Sequence, residues 1–411
     1  MRPTNLQETQ FSEKEKRNIN ILEILRRKGP ISRPDISKEM GVNVVTISNY
    51  IDDFIKHNLV YEKEFDVSEG GRRPLLLDIN SGGGYIVGVG LNLMSMVGLL
   101  VDLKGNIVTK TQVARPRASV KEVSECVLQI TREILRRSKE HASQIKGIGV
   151  GIAGLVNKKT GSIHWPQKVD HYYAYASVDV PLMGLLEKEF DLPVLIDNDA
   201  TAAAFGERWL DLDPEVKNVL YMFSGVGCGI IINGEVYTGA NGYAGEASIY
   251  NYKEQDAFKC GLGNDCFMKR WELDLGITED IKARLAKDQQ AAERFFKLTS
   301  SNIDNVDLKS VLRAARGKDP LAAAAMDLAA KRLGVKAAFM VNLLNPQVVV
   351  VGGGLEEAGE EFLSKVESTI KEWAFREASE DLRVVYSGLR ENAVALGAAS
   401  LVMQKVFARL R

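Results

Sequence analysis

Leu195-Ile196-Asp197-Asn198-Asp199-Ala200-Thr201-Ala202-Ala203-Ala204-Phe205-Gly206-Glu207 is the stretch on which the fold turns. Pro193 to Ile196 reads as a strand, and the small apolar run Ala200 to Phe205 reads as the helix after it. Asn198 and Asp199 stand where the strand ends, offering fixed acceptors and one amide donor. The pair also reads as a helix N-cap, since Asp199 precedes the apolar run. The two readings are compatible.

Working outward, the chain on the N-terminal side alternates strands and helices. Tyr85 to Gly90, Met96 to Asp102 and Ile107 to Val113 form an antiparallel meander that turns at Lys104-Gly105-Asn106. A helix opened by Ser119 with Glu122 puts Val123, Cys126, Val127, Ile130 and Ile134 on one stripe, which makes Cys126 a core residue rather than a reactive thiol. Ile145 to Ile152 is a further strand. Mixed sheets covered by helices are the expected result.

The first 80 residues differ in kind. Ser12 with Glu15 is a capping box, apolar Ile21, Leu22, Ile24 and Leu25 follow, and Gly29-Pro30 stops the helix. Ser32 caps a second helix that tolerates Pro34 in its first turn and ends near Met40-Gly41. A third helix starts after Asn43, buries Ile47, Ile51 and Phe54, and ends at Asn58. Its other face carries Asn43, Val44, Thr46 and Asn49, which are suitable readers of base edges: amides pair with adenine, and Thr or Val contact thymine methyls. Tyr61 to Asp66 and Pro74 to Asp78 pair as the strands of a wing, with Glu69 to Arg73 at its tip. Arg72 and Arg73 would then reach phosphate or a minor groove. The competing reading is a small helical domain for protein contacts, with both arginines solvated.

Composition sets limits on partners. The 411 residues are 45% hydrophobic with a net charge of -1, enough for several cores and without a bulk attraction to nucleic acid or anionic membrane. Residues 1–80 hold 13 Lys plus Arg and 13 Asp plus Glu, so DNA contact depends on local placement. The polar start MRPTNLQETQ lacks the apolar core of a signal peptide, and Tyr85 to Val101 is interrupted by glycines and polar residues. Cys126, Cys228, Cys260 and Cys266 are too few and too scattered for a secreted disulfide framework. A cytoplasmic location without a membrane partner is expected.

Four motifs together resemble the ROK family of repressors, open reading frames and kinases. They are Leu195 to Glu207, Gly239-Ala-Asn-Gly-Tyr-Ala-Gly245-Glu246, Asn345-Pro-Gln-Val-Val-Val-Val-Gly352-Gly-Gly354, and Ala395-Leu-Gly-Ala-Ala399. Gly70 to Pro74 is similar to a mark of the family's DNA-binding branch, so the resemblance spans nearly the whole chain. It implies that Asp199 is placed where the kinases carry the general base for a sugar hydroxyl. It also implies that Glu246 holds the sugar. Gln167 sits near a sugar-binding Asn of relatives, beside an unusual local stretch, His171 to Tyr175. Carboxylates are common acceptors of paired sugar hydroxyls, which agrees with the residues themselves.

The departures from the family pattern concern the nucleotide and the metal. Where the kinases begin with Asp-x-Gly-Gly-Thr, this chain has Gly90-Leu91-Asn92-Leu93-Met94, without the carboxylate, the two glycines or the hydroxyl. The second loop, Gly-Thr-Gly in active relatives, reads Phe223-Ser224-Gly225. The family's zinc ligands are eroded as well: Ile249 replaces the histidine, Leu262 replaces a cysteine, and Cys260 and Cys266 alone cannot complete a tetrahedral site. That histidine and a glutamate aligned near Met268 hold sugar in relatives, so two contacts have become apolar.

The expected protein is α/β, with a winged helix-turn-helix at 1–80 and a two-lobed actin-like, ribonuclease H-like sugar-kinase body at 81–411. The small lobe is about 81–198 plus the C-terminal helix at about 393–411, and the large lobe is about 199–392. Its expected role is a sequence-specific repressor of carbohydrate genes that binds double-stranded operator DNA. A small carbohydrate would bind at Asn198, Asp199, Glu246 and Gln167, without catalysis, metal or cofactor. Association into a homodimer or homotetramer follows from the two-fold habit of such DNA readers. An ATP-dependent sugar kinase with a DNA-binding appendage, or a protein-docking adaptor, are the alternatives.

Overall fold

The computed structural model describes residues 6–7, 11–64, 75–116, 120–164, 167–169, 172–174, 179–223, 227–247 and 275–409. Ser12 Oγ accepts from Glu15 N–H and the Glu15 carboxylate accepts from Ser12 N–H, which opens α1 (Glu13–Lys28) as the capping box requires. β1 (Ile31–Ser32) leads into α2 (Arg33–Met40), which Ser32 caps and Gly41 ends at φ 62°. α3 (Val44–Lys56) is capped by Asn43 and buries Ile47, Ile51 and Phe54. It stops two residues short of Asn58, which turns the chain at φ 59°. β2 (Val60–Glu64) and β3 (Leu75–Ile79) are the antiparallel strands of the wing. β1 adds a third strand, pairing Ile31 with Leu77, that a two-residue segment is too short to announce.

The small lobe is built on β4 (Tyr85–Leu91), β5 (Ser95–Asp102) and β6 (Ile107–Ala114), the expected meander, with α4 (Val120–Arg137) and β7 (Ile145–Ile152) following. Short strands β8 (Leu155–Val156), β9 (Ile163–His164), β10 (Gln167–Val169), β11 (Tyr172–Ala174) and β12 (Asp179–Val180) precede α5 (Leu182–Phe190) and β13 (Val194–Asn198). β7 runs parallel to both β4 and β13, and the sheet order is β13-β7-β4-β5-β6. Near-continuous burial along β4, β5 and β7 fits a sheet covered on both faces.

α6 (Asp199–Leu210) crosses to the second sheet, formed by β14 (Val219–Phe223), β15 (Gly227–Ile232) and β16 (Glu235–Val236) together with later strands. α7 (Ile277–Leu285), α8 (Gln289–Thr299), α9 (Leu308–Arg316) and α10 (Pro320–Leu344) form the outer layer, followed by β17 (Val348–Gly352), α11 (Glu360–Trp373), α12 (Arg376–Ser379), β18 (Arg383–Tyr386) and α13 (Ala393–Ala408). The order of this sheet is β16-β15-β14-β17-β18.

The C-terminal helix passes between these layers. A β-carbon at Gly397 would lie 1.8 Å from Ala202 O, so α13 and α6 cross at backbone contact and only glycine fits there. This accounts for the Ala395 to Ala399 motif. On its far side α13 meets the head: Leu22, Leu25 and Phe54 share one apolar cluster with Phe205, Trp209, Met403 and Phe407. The rings of Phe54 and Phe407 are edge-on at 5.6 Å, and Arg26 lies over Trp209 at 5.0 Å. No described helix is long and apolar enough to cross a membrane.

Candidate functional site

The strand-to-helix corner that opens α6 holds two of the expected ligand residues. Asn198 is the N-cap, and Asp199 is the first helical residue. The Oδ1 of Asn198 accepts from Ala200 and Thr201 N–H at 2.9 and 3.2 Å, and its Nδ2 donates to Gly154 O at 3.3 Å. Asp199 is free of that duty, although its Oδ1 takes Ala200 N–H at 2.8 Å. Burial pushes its carboxyl up to about 6, against the opposing pull of the Ala200 amide and the Arg115 cation. Glu246 bridges to Gly227 on β15, and burial together with the charge of Asp199 pushes it up to about 7. The structure therefore brings Asn198, Asp199 and Glu246 to one place from two lobes. Carboxyls titrating near neutrality can donate as well as accept toward hydroxyl groups.

Lys158 closes one side of this site. Its Nζ pairs with the carboxylate of Asp197, and a β-carbon at Gly242 would meet its Cγ at 2.5 Å, so the loop carrying Gly239 to Glu246 lies directly on it. Gln167 is in β10, where it pairs with Ala174 of β11. Trp165 and His171 lie outside the described residues.

The segment aligned with the first phosphate loop joins the two lobes. Leu93 N–H donates to Gly353 O at 3.1 Å, and Met94 Cε would be 3.2 Å from a β-carbon on Gly354. Leu93 and Met94 pack on the large-lobe core. Asn92 Nδ2 donates to Glu391 O at 2.7 Å, and the Arg115 guanidinium donates to Asn92 O. Phe223 is buried, its ring 3.1 Å from where a β-carbon of Gly353 would be. The cavity beside them measures about 1150 Å³ and is lined by Asn92, Leu93, Met94, Arg115, Glu356 and Glu391, among others. Ser224, Gly225, Ile249, Cys260, Leu262, Cys266 and Met268 lie outside the described residues.

In the head, Asn43, Val44 and Asn49 are exposed at the N-terminal end of α3 and Thr46 is half-buried. Asn43 Oδ1 is occupied in capping, accepting from Val45 N–H at 2.8 Å. Arg72 and Arg73 lie outside the described residues. The ROK family model matches residues 87–405 of this chain.

The chain belongs to the ROK family.

It is 30% identical over 379 residues to a xylose repressor of Caldicellulosiruptor bescii, covering 91% of this chain and 92% of that protein. Two solved structures share the fold. A ROK family transcriptional regulator, a homolog of the E. coli MLC protein, has a TM-score of 0.70 at 23% identity over 96% of this chain and 97% of its own. A ROK family glucokinase from Streptomyces griseus, in complex with glucose and AMPPNP, has a TM-score of 0.63 at 24% identity over 77% of this chain and 99% of its own.

Three residues of this ROK chain were not legible as site residues. Val45 is 69% exposed, more than Val44 at 39%, and it stands beside the expected base readers on α3. Its position opposite Ile47, Ile51 and Phe54 was the available signal. Arg115 and Lys158 gave no local signal, because each reaches the site through tertiary contacts.

Proposed function

We propose that this chain is a DNA-binding transcriptional regulator of carbohydrate genes whose kinase-like body binds a small carbohydrate without transferring phosphate. The observation that carries this reading is the fusion of a winged head to a ROK body through a shared core, with Leu93 and Met94 seated where phosphate would need open backbone. Apolar Leu93 and Met94 are poor partners for a triphosphate, which is held by open main-chain N–H groups and a metal-organising carboxylate. The N–H of Leu93 is spent on Gly353, so that it offers no free donor to an anionic oxygen, and the cavity beside it carries acidic and basic side chains in equal number. The xylose repressor relative supports a pentose or related sugar as the effector class. Asp199 and Glu246 would accept its hydroxyls, with Asn198 fixing the corner.

The base readers are Asn43, Val44, Val45, Thr46 and Asn49, with Arg72 and Arg73 on phosphate or in a minor groove. Two copies would span a two-fold operator, with half-sites about 34 Å or a multiple apart, so a change in head spacing would release one of them. Incubation with ATP, magnesium and a panel of pentoses and hexoses is expected to yield no phosphorylated sugar, while one sugar of the panel raises the melting temperature. Phosphorylated product would overturn the proposal in favour of a kinase with a DNA-binding appendage.

A further inference from the structure

Leu6 and Gln7 precede the first helix of the head, yet they are seated on the body. Leu6 is buried in the cluster that head and small lobe share, and its Cδ1 would be 3.3 Å from a β-carbon on Gly147 of β7. Gln7, 3% exposed, donates from Nε2 to Ile196 O at 2.8 Å and accepts Ile196 N–H on Oε1 at 3.0 Å. Among the described residues β13 is the edge strand of its sheet, and no described strand lies beside the outward N–H and C=O of Ile196. The side-chain amide of Gln7 supplies one donor and one acceptor, as a paired strand would.

Ile196 lies on the same strand as Asn198, and that strand runs straight into α6. On the other side, the chain enters α1 under three ties to the end of α13. Lys405 Nζ stands 3.9 Å over the Phe11 ring, Arg409 pairs with Glu15 at 3.1 Å, and Asn18 Nδ2 donates to Ala408 O at 3.0 Å. Gln7 therefore grips the strand that carries the ligand corner only four residues before Phe11, where the ties of the first head helix to α13 begin.

We propose that Gln7 is a positioning residue: it holds the end of β13, and with it the first turn of α6, in register with the DNA-reading head. The regulatory part of this rests on the reading of the cleft as an effector site. Ligand drawn against Asp199 would load the same strand that Gln7 grips, and Gln7 and Leu6 are the described residues of the chain before α1 that would feel a shift of that strand.

The test uses hydrogen–deuterium exchange on the full chain, comparing protection of the Ile196, Ala200 and Thr201 amides in wild type, Gln7→Met and Gln7→Glu. Gln7→Met keeps the length and removes both bonds, and its protection factor at Ile196 is expected to fall about tenfold or more, with a smaller loss at Ala200 and Thr201. Gln7→Glu keeps only the acceptor when ionised. Its protection should be low at about pH 8 and recover toward about pH 5, where burial raises the pKa of the introduced carboxyl enough to keep it protonated, so that it again donates and accepts. Because the wild type itself loses stability toward about pH 8, the recovery is read as the ratio of Gln7→Glu to wild-type protection at each pH, and it should be confined to Ile196 and the first turn of α6; a role in overall stability alone would move amides throughout the fold together. Unchanged protection at Ile196 in Gln7→Met, or loss confined to Ile196 with none in the first turn of α6, overturns the proposal.

A second arm measures binding to a duplex selected from random DNA by the wild-type chain, with and without D-xylose. Gln7→Met is expected to bind the duplex as the wild type does while losing most of the sugar-dependent change. A full sugar-dependent change in Gln7→Met would overturn the transmission role. A wild type that selects no duplex defeats the regulator reading instead, and the exchange result still decides whether Gln7 positions the corner.

Discussion

The carboxylate of Glu207 accepts the hydroxyl of Ser387, with Leu389 N–H at 3.2 Å and Gly388 N–H at 3.3 Å completing its shell. Glu207 is fully buried near the end of α6, and the residues it binds form the turn between β18 and α13. One side chain thus ties the helix that begins at the ligand corner to the start of the helix that touches the head.

Burial pushes Glu207 up to about 7 despite those donors, as it pushes Asp199 to about 6 and Glu246 to about 7. Each folded value lies above the unfolded one, so the stability these groups contribute is complete below the unfolded value and is lost as pH rises through the folded one. Urea midpoints are expected to fall between about pH 5 and pH 8, with Glu207 accounting for on the order of 2 kcal/mol. Glu207→Gln, which has the donor and acceptor of the neutral acid, should flatten that slope. A midpoint that climbs over this range would refute the assignment.

Glycine at 397 is expected to tolerate nothing larger. Gly397→Ala places a methyl 1.8 Å from Ala202 O, so α6 and α13 must separate, and the cost should exceed about 3 kcal/mol or abolish soluble protein. Gly184 on α5 is the control, since a β-carbon there meets nothing within 4 Å. Gly184→Ala should raise stability by about 0.4–1 kcal/mol in thermal or urea unfolding. Equal effects at the two sites would show that backbone contact is not what Gly397 provides.

DNA reading should separate from head stability at Asn43. Asn43→Asp retains the capping acceptor for Val45 N–H and places a negative charge at a helix N-terminus, so the melting temperature should hold or rise slightly. Operator affinity should nonetheless drop about tenfold or more, because the amide donor is gone and the new charge faces phosphate. Val45→Ala should weaken binding by about 1 kcal/mol, chiefly at sites with a thymine methyl. Arg72→Ala with Arg73→Ala should instead weaken all sequences alike and reduce the salt dependence. Gel-shift titrations at several salt concentrations distinguish these cases.

Much of this architecture was written locally. Ser12 with Glu15, Ser32, Asn43 and Asn58 each declare a helix boundary by chemistry that acts within four residues, and the meander declares itself by apolar runs broken at Gly105. The corner at Asn198-Asp199 was equally legible, except that the capping oxygen belongs to Asn198. Other parts were hidden because their partners are far away in sequence. Gln7 meets Ile196, Arg115 faces Asp199, and Leu93 bonds Gly353 across the cleft, and no periodicity links such pairs. β1 escaped notice because two residues cannot show alternation.

The ligand corner has its own pH signature. A sugar hydroxyl donating to ionised Asp199 favours the charged form, so affinity for the effector should rise as pH increases through about 6 and level off above about 7, where Glu246 has also ionised. Asp199→Asn keeps an acceptor for Ala200 N–H, so the unliganded fold should survive, and removing a buried charge should stabilise it slightly at about pH 8. Its affinity for the same sugar should be about ten to a hundred times weaker, the range expected for losing a charge-assisted hydrogen bond, and the step near pH 6 should vanish. Isothermal titration across this pH range checks both expectations. Wild-type affinity that declines as pH rises would mean that the ligand meets the protonated acid as an acceptor, and the polarity assigned to this corner would have to be reversed.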